Sequence, residues 1–271
     1  MLPTRDQIEH EAYNRWIRRD RAHGHDRHDW LGAENELTFL LNYRTVVEYP
    51  LQANRPLIMD ADKPRRCRFC ERSVDQIPFS EPRPIVQVAG DTSLFSAEIC
   101  DECQADCRDP LANHAQKLWD ALSSGVDSLR CLPGRLNLIA AFKSLIASAL
   151  LVMPLGDLEY FTDTLEWVSN PDFEYDGSLL TGSFCRVYVA PLGAEAGWIN
   201  LSRRVADEAA MPYALVFAGW RGIVLQVPIP LCIRDQDLDG KDVRVPERSP
   251  AWGREPHFRQ AGLVVLRSGV R

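Results

Sequence analysis

The chain has 271 residues, of which 45% are hydrophobic and 25% are charged, and its formal net charge is −7. This apolar content is enough for a packed interior and excludes a disordered or fibrous protein, and the length fits one large domain or two to three small ones at roughly 100–200 residues each. The acidic balance excludes a protein that covers nucleic acid with its whole surface, because such binding needs many cations near phosphates. A local basic surface is compatible with this negative net charge.

The N-terminal residues predict a helical hairpin. Thr4 and Gln7 have the spacing of a capping box, and apolar residues follow at helical intervals, so we predict a helix over residues 5–19. A second run with the same period extends from Trp30 to Val47. We therefore assign residues 1–49 to a hairpin of two helices, followed by a proline-rich linker over residues 50–64.

No stretch of the sequence predicts a targeting or membrane-spanning segment. The first residues lead directly into a charged helix, without the apolar run of a signal peptide. Residues 137–153 are strongly apolar, but they are too few for a membrane span and include Lys143. We expect a cytoplasmic protein that does not contact membranes. In that reducing setting, paired cysteines bind metal more often than they form disulfides.

The C-terminal half predicts helices that pack on an antiparallel sheet. Apolar periodicity predicts helices at 137–153 and 156–168, and the interval from Trp198 to Ala210 is compatible with a further helix. Three runs have a sequence pattern typical of strands, and a short glycine-bounded segment connects the last two. The runs are residues 184–189, 213–217 and 223–229. A final apolar run at 263–266 fits a sheet edge, so we predict an α+β domain over residues 131–271.

Two cysteine pairs give the strongest functional signal. Cys67 and Cys70 form one CxxC pair, and Cys100 and Cys103 form a second after twenty-nine intervening residues. Each two-residue spacer lets both sulfurs of a pair turn toward one ion, and zinc matches a tetrahedral four-sulfur site best, with iron second. In a treble clef, a first cysteine pair is followed by a β segment and then by a second cysteine pair at the start of a helix. This sequence has the same order. We therefore predict a treble-clef module with one structural zinc over residues 65–130.

The stretch from Cys67 to about Trp119 resembles a bacterial branch of the HNH nucleases. The resemblance rests on the cysteine pairs and on four features between them. These features are Phe79, the strand residue Ile85, Gly90 and Ser93-Leu-Phe95. It implies a treble-clef frame with a catalytic histidine and two asparagines.

This chain departs from that family at the three matching positions. Arg83, or Pro84 on a strict count, stands where the histidine is expected, and Asp91 and Gln104 replace the asparagines. A guanidinium has no acceptor and stays protonated, so Arg83 can neither bind a divalent metal nor act as a base. Asp91 can bind Mg²⁺ and is the only catalytic candidate, but one carboxylate without a base makes a poor hydrolytic site.

The N-terminal residues resemble a short bacterial helical family of unknown function. Residues 8–16 and 29–37 carry the resemblance, which implies a helical module at residues 4–48 and assigns no activity. Four histidines fall within the first 28 residues. Because they lie in or near a polar loop, we expect them to be exposed, with a second metal site as the alternative.

Two further patterns concern metals and cysteines. Asp235, Asp237 and Asp239 have the spacing of the first ligands of a calcium loop, although the later ligand positions do not match, so we expect an acidic turn, with a weak Ca²⁺ site as the alternative. Cys107 lies one helical turn after Cys103 and is an alternative ligand. The remaining thiols fit small buried residues. They are Cys131, Cys185 and Cys232.

Basic residues gather around the first cysteine pair and predict a contact surface. Arg65, Arg66, Arg68 and Arg83 are candidates for phosphate contacts, although interleaved acids leave a small positive excess. We expect a zinc-binding protein on an HNH-like frame without the usual catalytic residues, contacting DNA, RNA or a protein partner. The alternatives are an active metal-dependent endonuclease that uses Asp91, and an interaction scaffold that does not bind nucleic acid.

Overall fold

The computed structural model describes most of the chain. The described residues are 1–51, 56–59, 65–86, 93–124, 138–170, 173, 184–189, 197–205, 210–220, 222–238, 243–246 and 259–265. Helices and a large antiparallel sheet coexist in it, so the predicted α+β class is confirmed. Within these ranges, no helix is both long and apolar enough to cross a membrane.

Two helices begin the chain. Helix α1 (Arg5–Arg18) starts at the predicted capping box, in which the Thr4 hydroxyl accepts from the Gln7 N–H and the Gln7 side chain accepts from the Thr4 N–H. Helix α2 (Asp26–Asn42) packs against α1, and ion pairs join the two helices. The pairs are Arg15 with Glu36 and Arg19 with Asp29.

The second helix ends earlier than predicted. It stops at Asn42, and residues Tyr43–Leu51 form strand β1 instead of continuing the helix to Val47. This segment is rich in β-branched and aromatic residues, which favour strands, and a partner strand is available far along the chain. The helical hairpin is therefore shorter than residues 1–49, and its last part belongs to the large sheet.

A small sheet follows. It consists of β2 (Leu57–Met59), β3 (Arg83–Pro84) and β4 (Leu94–Ser96), with β4 in the centre, parallel to β2 and antiparallel to β3. Strand β2 lies inside the segment predicted to be a linker. Three residues between prolines and polar residues are too few to give a periodic signal.

Helical segments occupy the middle of the chain. Helix α3 (Asp101–Cys103) continues through a π-helical turn (Gln104–Arg108) into α4 (Asp109–Ser123). The strongly apolar helix α5 covers Leu138–Val152. Helix α6 (Leu155–Leu158), a 3₁₀ turn (Glu159–Phe161) and α7 (Thr162–Ser169) together cover the second predicted helix.

Five further strands complete a six-stranded antiparallel sheet with β1. They are β5 (Phe184–Val189), β6 (Gly197–Arg204), β7 (Ala214–Trp220), β8 (Ile223–Pro228) and β9 (Arg259–Val265). The order is β1-β6-β7-β8-β5-β9, which confirms both the predicted β7–β8 hairpin and the edge position of the last apolar run.

The predicted helix at 198–210 is wrong. Residues 197–204 form β6, which lies between β1 and β7. Ile199 and Leu201 alternate with Asn200 and Ser202, a period of two that indicates a strand, but the run is short and both of its faces are buried. The polar side chains of β6 form hydrogen bonds within the protein. Asn200 donates to the Thr45 hydroxyl (3.3 Å) and accepts from the Ser202 hydroxyl (3.0 Å).

Both faces of the sheet are covered by apolar residues. Val216 and Ala218 face a cluster that includes α5 and the cysteines of the paired motifs, whereas Leu215 and Phe217 face a second cluster with Phe39 of α2. This alternation follows from the two-residue period of a strand. The cysteine region and the C-terminal sheet therefore share one continuous core.

Candidate metal centre

The four cysteines of the two CxxC motifs meet in space. Their sulfur atoms all lie within 4.8 Å of one another. Three of the residues are buried, Cys70 is half-buried, and all four are free thiols. Two segments separated by twenty-nine residues thus converge on one point, as the spacing predicts.

A tight turn carries the first pair. The Cys67 N–H donates to the Arg72 carbonyl and the Glu71 N–H donates to the Cys67 carbonyl, both at 2.9 Å. Glu71 has a φ of 60°, in the left-handed region that favours glycine. This residue lies in the reversal of the chain that places Arg66 opposite Ser73 in an antiparallel bridge.

The start of a helix carries the second pair. Cys100 is the N-cap of α3, and its sulfur accepts from the Cys103 N–H at 3.4 Å. The helical segment continues from residue 101 to residue 123, so its N-terminal N–H groups and dipole favour negative charge on these sulfurs. The antiparallel pair β3–β4 lies between the two motifs in the sequence, so a turn, paired strands and a helix start follow one another along the chain.

Hydrogen bonds fix the helix start against the turn region. Asp101 donates its N–H to the Pro78 carbonyl (3.1 Å), and its carboxylate accepts from the Ser80 hydroxyl (2.6 Å) and from Arg83 (3.1 Å). The hydrogen bonds from Ser80, and then that from Arg83, lower the pKa of Asp101. Asp101 thus holds the second cysteine pair in register with the loop before β3.

The electrostatic environment of the sulfurs favours a bound cation. A hydrogen bond with Cys103, and then burial, raise the pKa of Cys67, and burial raises the pKa of Cys100 to about 11. Four thiols this close cannot all ionise without a positive charge among them. The Arg72 guanidinium supplies one cation from outside, since its Nε lies 3.4 Å from the Cys70 sulfur.

The spacing of the sulfurs fits a tetrahedral metal. A Zn–S bond of about 2.3 Å places two sulfurs of a tetrahedron roughly 3.8 Å apart, and the sulfurs of Cys70 and Cys100 are separated by 3.7 Å. A disulfide would need an S–S distance of about 2.05 Å. The residues present therefore fit a four-sulfur metal site, and zinc is the ion that such a site suits best.

The fifth nearby thiol has a different partner. Cys107 donates to the Ser169 carbonyl at 3.2 Å and lies outside the group of four. A hydrogen bond from Cys103 lowers its pKa. Cys232 is buried, as predicted. Cys131 and the side chain of Cys185 lie outside the described residues.

The four arginines predicted to form a contact surface divide into two groups. Arg65, Arg66 and Arg83 are at least partly exposed, and each is engaged: Arg65 donates to the Phe79 carbonyl, and the other two pair with Glu71 and Asp101. Arg68, in contrast, is only 6% exposed and pairs with the buried Glu98. Arg68 therefore cannot belong to an exposed surface.

Two of the residues that differ from the nuclease pattern form an ion pair or a hydrogen bond within the protein. Arg83 is ion-paired with Asp101, and the buried Gln104 side chain donates to Asp109 at 2.5 Å. Asp91, the only catalytic candidate, lies outside the described residues.

The two other metal hypotheses gain no structural support. In the described parts of the chain, the four cysteines form the only cluster of potential metal ligands. His23, His25 and His28 are exposed, as expected for a polar loop. Asp235 accepts from the Tyr213 N–H (2.8 Å) and lies 3.5 Å from Arg204, and Asp239 falls outside the described residues, so the calcium-loop alternative has no supporting geometry.

Asp235 leads to a prediction about pH. Burial raises its pKa to about 6, although the Tyr213 N–H and Arg204 act in the opposite direction. Because this value exceeds that of an unfolded aspartate, the carboxyl's contribution to stability is complete below about pH 4 and is lost as the pH rises through about 6. We expect the unfolding free energy of the native protein, relative to Asp235→Asn, to fall by roughly 1–3 kcal/mol between pH 4 and pH 7.

Urea unfolding at several pH values measures this difference. Asp237→Asn is the matched control, because Asp237 is exposed in the same 3₁₀ helix (Ile233–Leu238) as Asp235 and should show no such trend. A pH-independent difference for Asp235→Asn would contradict the prediction.

Sequence reasoning missed the residues that support the site. Arg68 joins the first cysteine turn to the end of α5 by donating to the carbonyls of Leu150 (3.2 Å) and Met153, besides its pair with Glu98. The only sequence signal was an acidic residue two positions before Cys100 within an apolar run. Its partner thirty residues earlier could not be identified from that signal.

Comparison with known proteins gives one match. The family described as "Protein of unknown function (DUF2934)" matches residues 3–38. This match covers α1 and most of α2, and it confirms the resemblance of the N-terminal residues to a family without an assigned activity. No curated protein and no solved structure matches the chain.

Proposed function

We propose that this protein binds one structural zinc ion through Cys67, Cys70, Cys100 and Cys103. The convergence of four free thiols within 4.8 Å is the observation that carries the proposal. The ion would fix the first cysteine turn to the start of the helix, two segments that are separated by twenty-nine residues. The site needs reduced thiols, which agrees with a cytoplasmic location.

We further propose that residues 65–130 are a treble-clef module on an HNH-like frame that has lost hydrolytic chemistry. Arg83 supports this proposal, because a guanidinium paired with Asp101 fixes the backbone and cannot serve as a base or metal ligand. The role left to the module is to bind rather than to cleave. Residues 131–271, together with β1, then form the α+β body on which the module packs.

The binding surface of this module would include Arg65 and Arg66. The Arg66–Glu71 ion pair is exposed, with 66% and 75% of the two side chains accessible, and such pairs contribute little stability. A phosphate, or a carboxylate of a protein partner, can therefore replace Glu71 at Arg66 at low cost. DNA or RNA is the first partner to test, because each phosphate contact makes the affinity depend on salt.

A salt series with duplex DNA and single-stranded RNA tests this partner. If the arginines contact phosphates, the double variant Arg65→Gln/Arg66→Gln weakens binding and reduces the log–log salt slope by about two. The matched control is Arg5→Gln/Arg27→Gln, which makes the same charge change on α1 and α2. An absent or salt-insensitive shift would contradict nucleic-acid binding and favour a protein partner.

The same preparation tests for residual nuclease activity. We expect no cleavage of plasmid DNA with Mg²⁺ or Mn²⁺, because Arg83 supplies no base. Cleavage by the native protein that Asp91→Ala abolishes would overturn the binding interpretation and establish an atypical endonuclease.

A further inference from the structure

A cavity of about 550 Å³ lies at one end of the large sheet, and its lining residues include none of the clustered cysteines. Four arginines line it. They are Arg44 of β1, Arg203 and Arg204 of β6, and Arg234 of the 3₁₀ helix that follows β8. Its volume falls within the range of small-molecule sites, about 300–1,000 Å³. In a chain with a net charge of −7, four guanidinium groups around one cavity are an unusual concentration of positive charge.

Two of these arginines occupy directly opposed positions in the sheet. Arg44 and Arg203 are register partners on the antiparallel strands β1 and β6. Side chains at such positions project from the same face with Cβ atoms about 4.5–5.5 Å apart, and like charges there are destabilising. Among the described residues, no carboxylate pairs with Arg44. An anion between the two guanidinium groups would convert this repulsion into attraction.

The other arginines are held in place by the protein. Arg203 pairs with the buried Asp157, and Arg204 donates to the Met211 carbonyl and lies 3.5 Å from Asp235. Arg234 lies over the Tyr160 ring, 4.7 Å from its centroid. Fixed guanidinium groups lose little conformational entropy on binding a ligand, so the cavity is largely preorganised.

An apolar surface accompanies the charges. The rings of Tyr160 and Tyr213 both line the cavity and meet edge to face at a centroid distance of 5.7 Å. Among the described carboxylates, Asp157 pairs with Arg203 and Asp235 lies 3.5 Å from Arg204. The four guanidinium groups thus outnumber these two carboxylates, which favours an anionic ligand.

We propose that this cavity binds a small phosphate monoester. The phosphate would lie between Arg44 and Arg203, because the planar guanidinium fork matches two phosphate oxygens, and the organic part would contact the tyrosine rings. A concave site of this size suits a small molecule better than the backbone of a duplex. The proposal is independent of the zinc site.

Calorimetry on the 271-residue chain at constant ionic strength tests the proposal. Phenyl phosphate is the probe, with inorganic phosphate and uncharged phenol for comparison. We expect saturable one-site binding of phenyl phosphate, weaker binding of inorganic phosphate and none of phenol. Arg44→Gln should reduce the affinity for phenyl phosphate at least tenfold, and the exposed Arg234→Gln should also weaken it. Arg27→Gln, with the same charge change on α2, should leave it unaltered.

Thermal unfolding provides a second readout. Without ligand, Arg44→Gln should have an unchanged or higher Tm than the native protein, since the variant removes the repulsion with Arg203. No saturable binding by the native protein, equal affinities of Arg44→Gln and Arg27→Gln, equal binding of phenol, or binding of oligonucleotides alone would each overturn the proposal.

Discussion

The Cys103→Ser variant is expected to lose zinc and to unfold at much lower urea concentrations than the native protein. Apparent binding free energies of structural zinc are about 10–16 kcal/mol in small domains, of the same order as the total stability of a typical domain, about 5–15 kcal/mol. Because Cys103 is buried in the core that also contains α5, loss of the ion should destabilise more than the local turn. We expect a loss of several kcal/mol in unfolding free energy.

Cys232→Ser is the matched control for this experiment. Cys232 is also a buried thiol and lies outside the cluster, so its replacement likewise introduces a buried hydroxyl and costs about 1–3 kcal/mol. Urea unfolding with saturating zinc and with a strong chelator separates the two effects. The native protein and Cys232→Ser should be sensitive to the chelator, whereas Cys103→Ser should not. Equal chelator responses in all three proteins would contradict a metal role for Cys103.

Arg68→Met is expected to destabilise the protein by about 3–5 kcal/mol, because it leaves the Glu98 carboxylate buried without its partner. The substitution also removes the donors to the Leu150 and Met153 carbonyls at the end of α5. This position therefore tests how strongly the cysteine turn is coupled to the apolar helix.

Two further variants distinguish this coupling from a general effect of charge. Arg66→Met should cost at most about 1 kcal/mol, since Arg66 pairs with Glu71 on the surface. The double variant Arg68→Met/Glu98→Leu should recover most of the lost stability, because neither charge then remains buried alone. An equal cost for Arg66→Met and Arg68→Met, or no recovery in the double variant, would refute the coupling.

Local patterns predicted much of the fold and the cluster of four cysteines. The capping box at Thr4 predicted the start of α1. Apolar periodicity predicted both ends of α5 to within one residue. The CxxC spacing predicted that four sulfurs would meet, and this prediction did not require the structure of the residues between the two motifs. These features depend on residues close together in sequence, which is why sequence reasoning could identify them.

The features that sequence reasoning missed depend on distant partners. Residues 43–51 become a strand because β6, more than 140 positions later, pairs with them, for example Tyr43 with Arg204. Arg68 looked like a surface cation because its buried partner Glu98 and the α5 carbonyls are separated from it by 30 to 85 positions. The arginine-lined cavity likewise exists only once β1 and β6 are adjacent.

The ratio of metal to protein tests the central claim most directly. Elemental analysis of the purified native protein, at a concentration determined independently, should give one zinc per chain, and the double variant Cys100→Ser/Cys103→Ser should give none. Zinc retained by the double variant, or no zinc in a native protein that was purified without chelators and supplied with the ion, would contradict a metal site formed by these four cysteines.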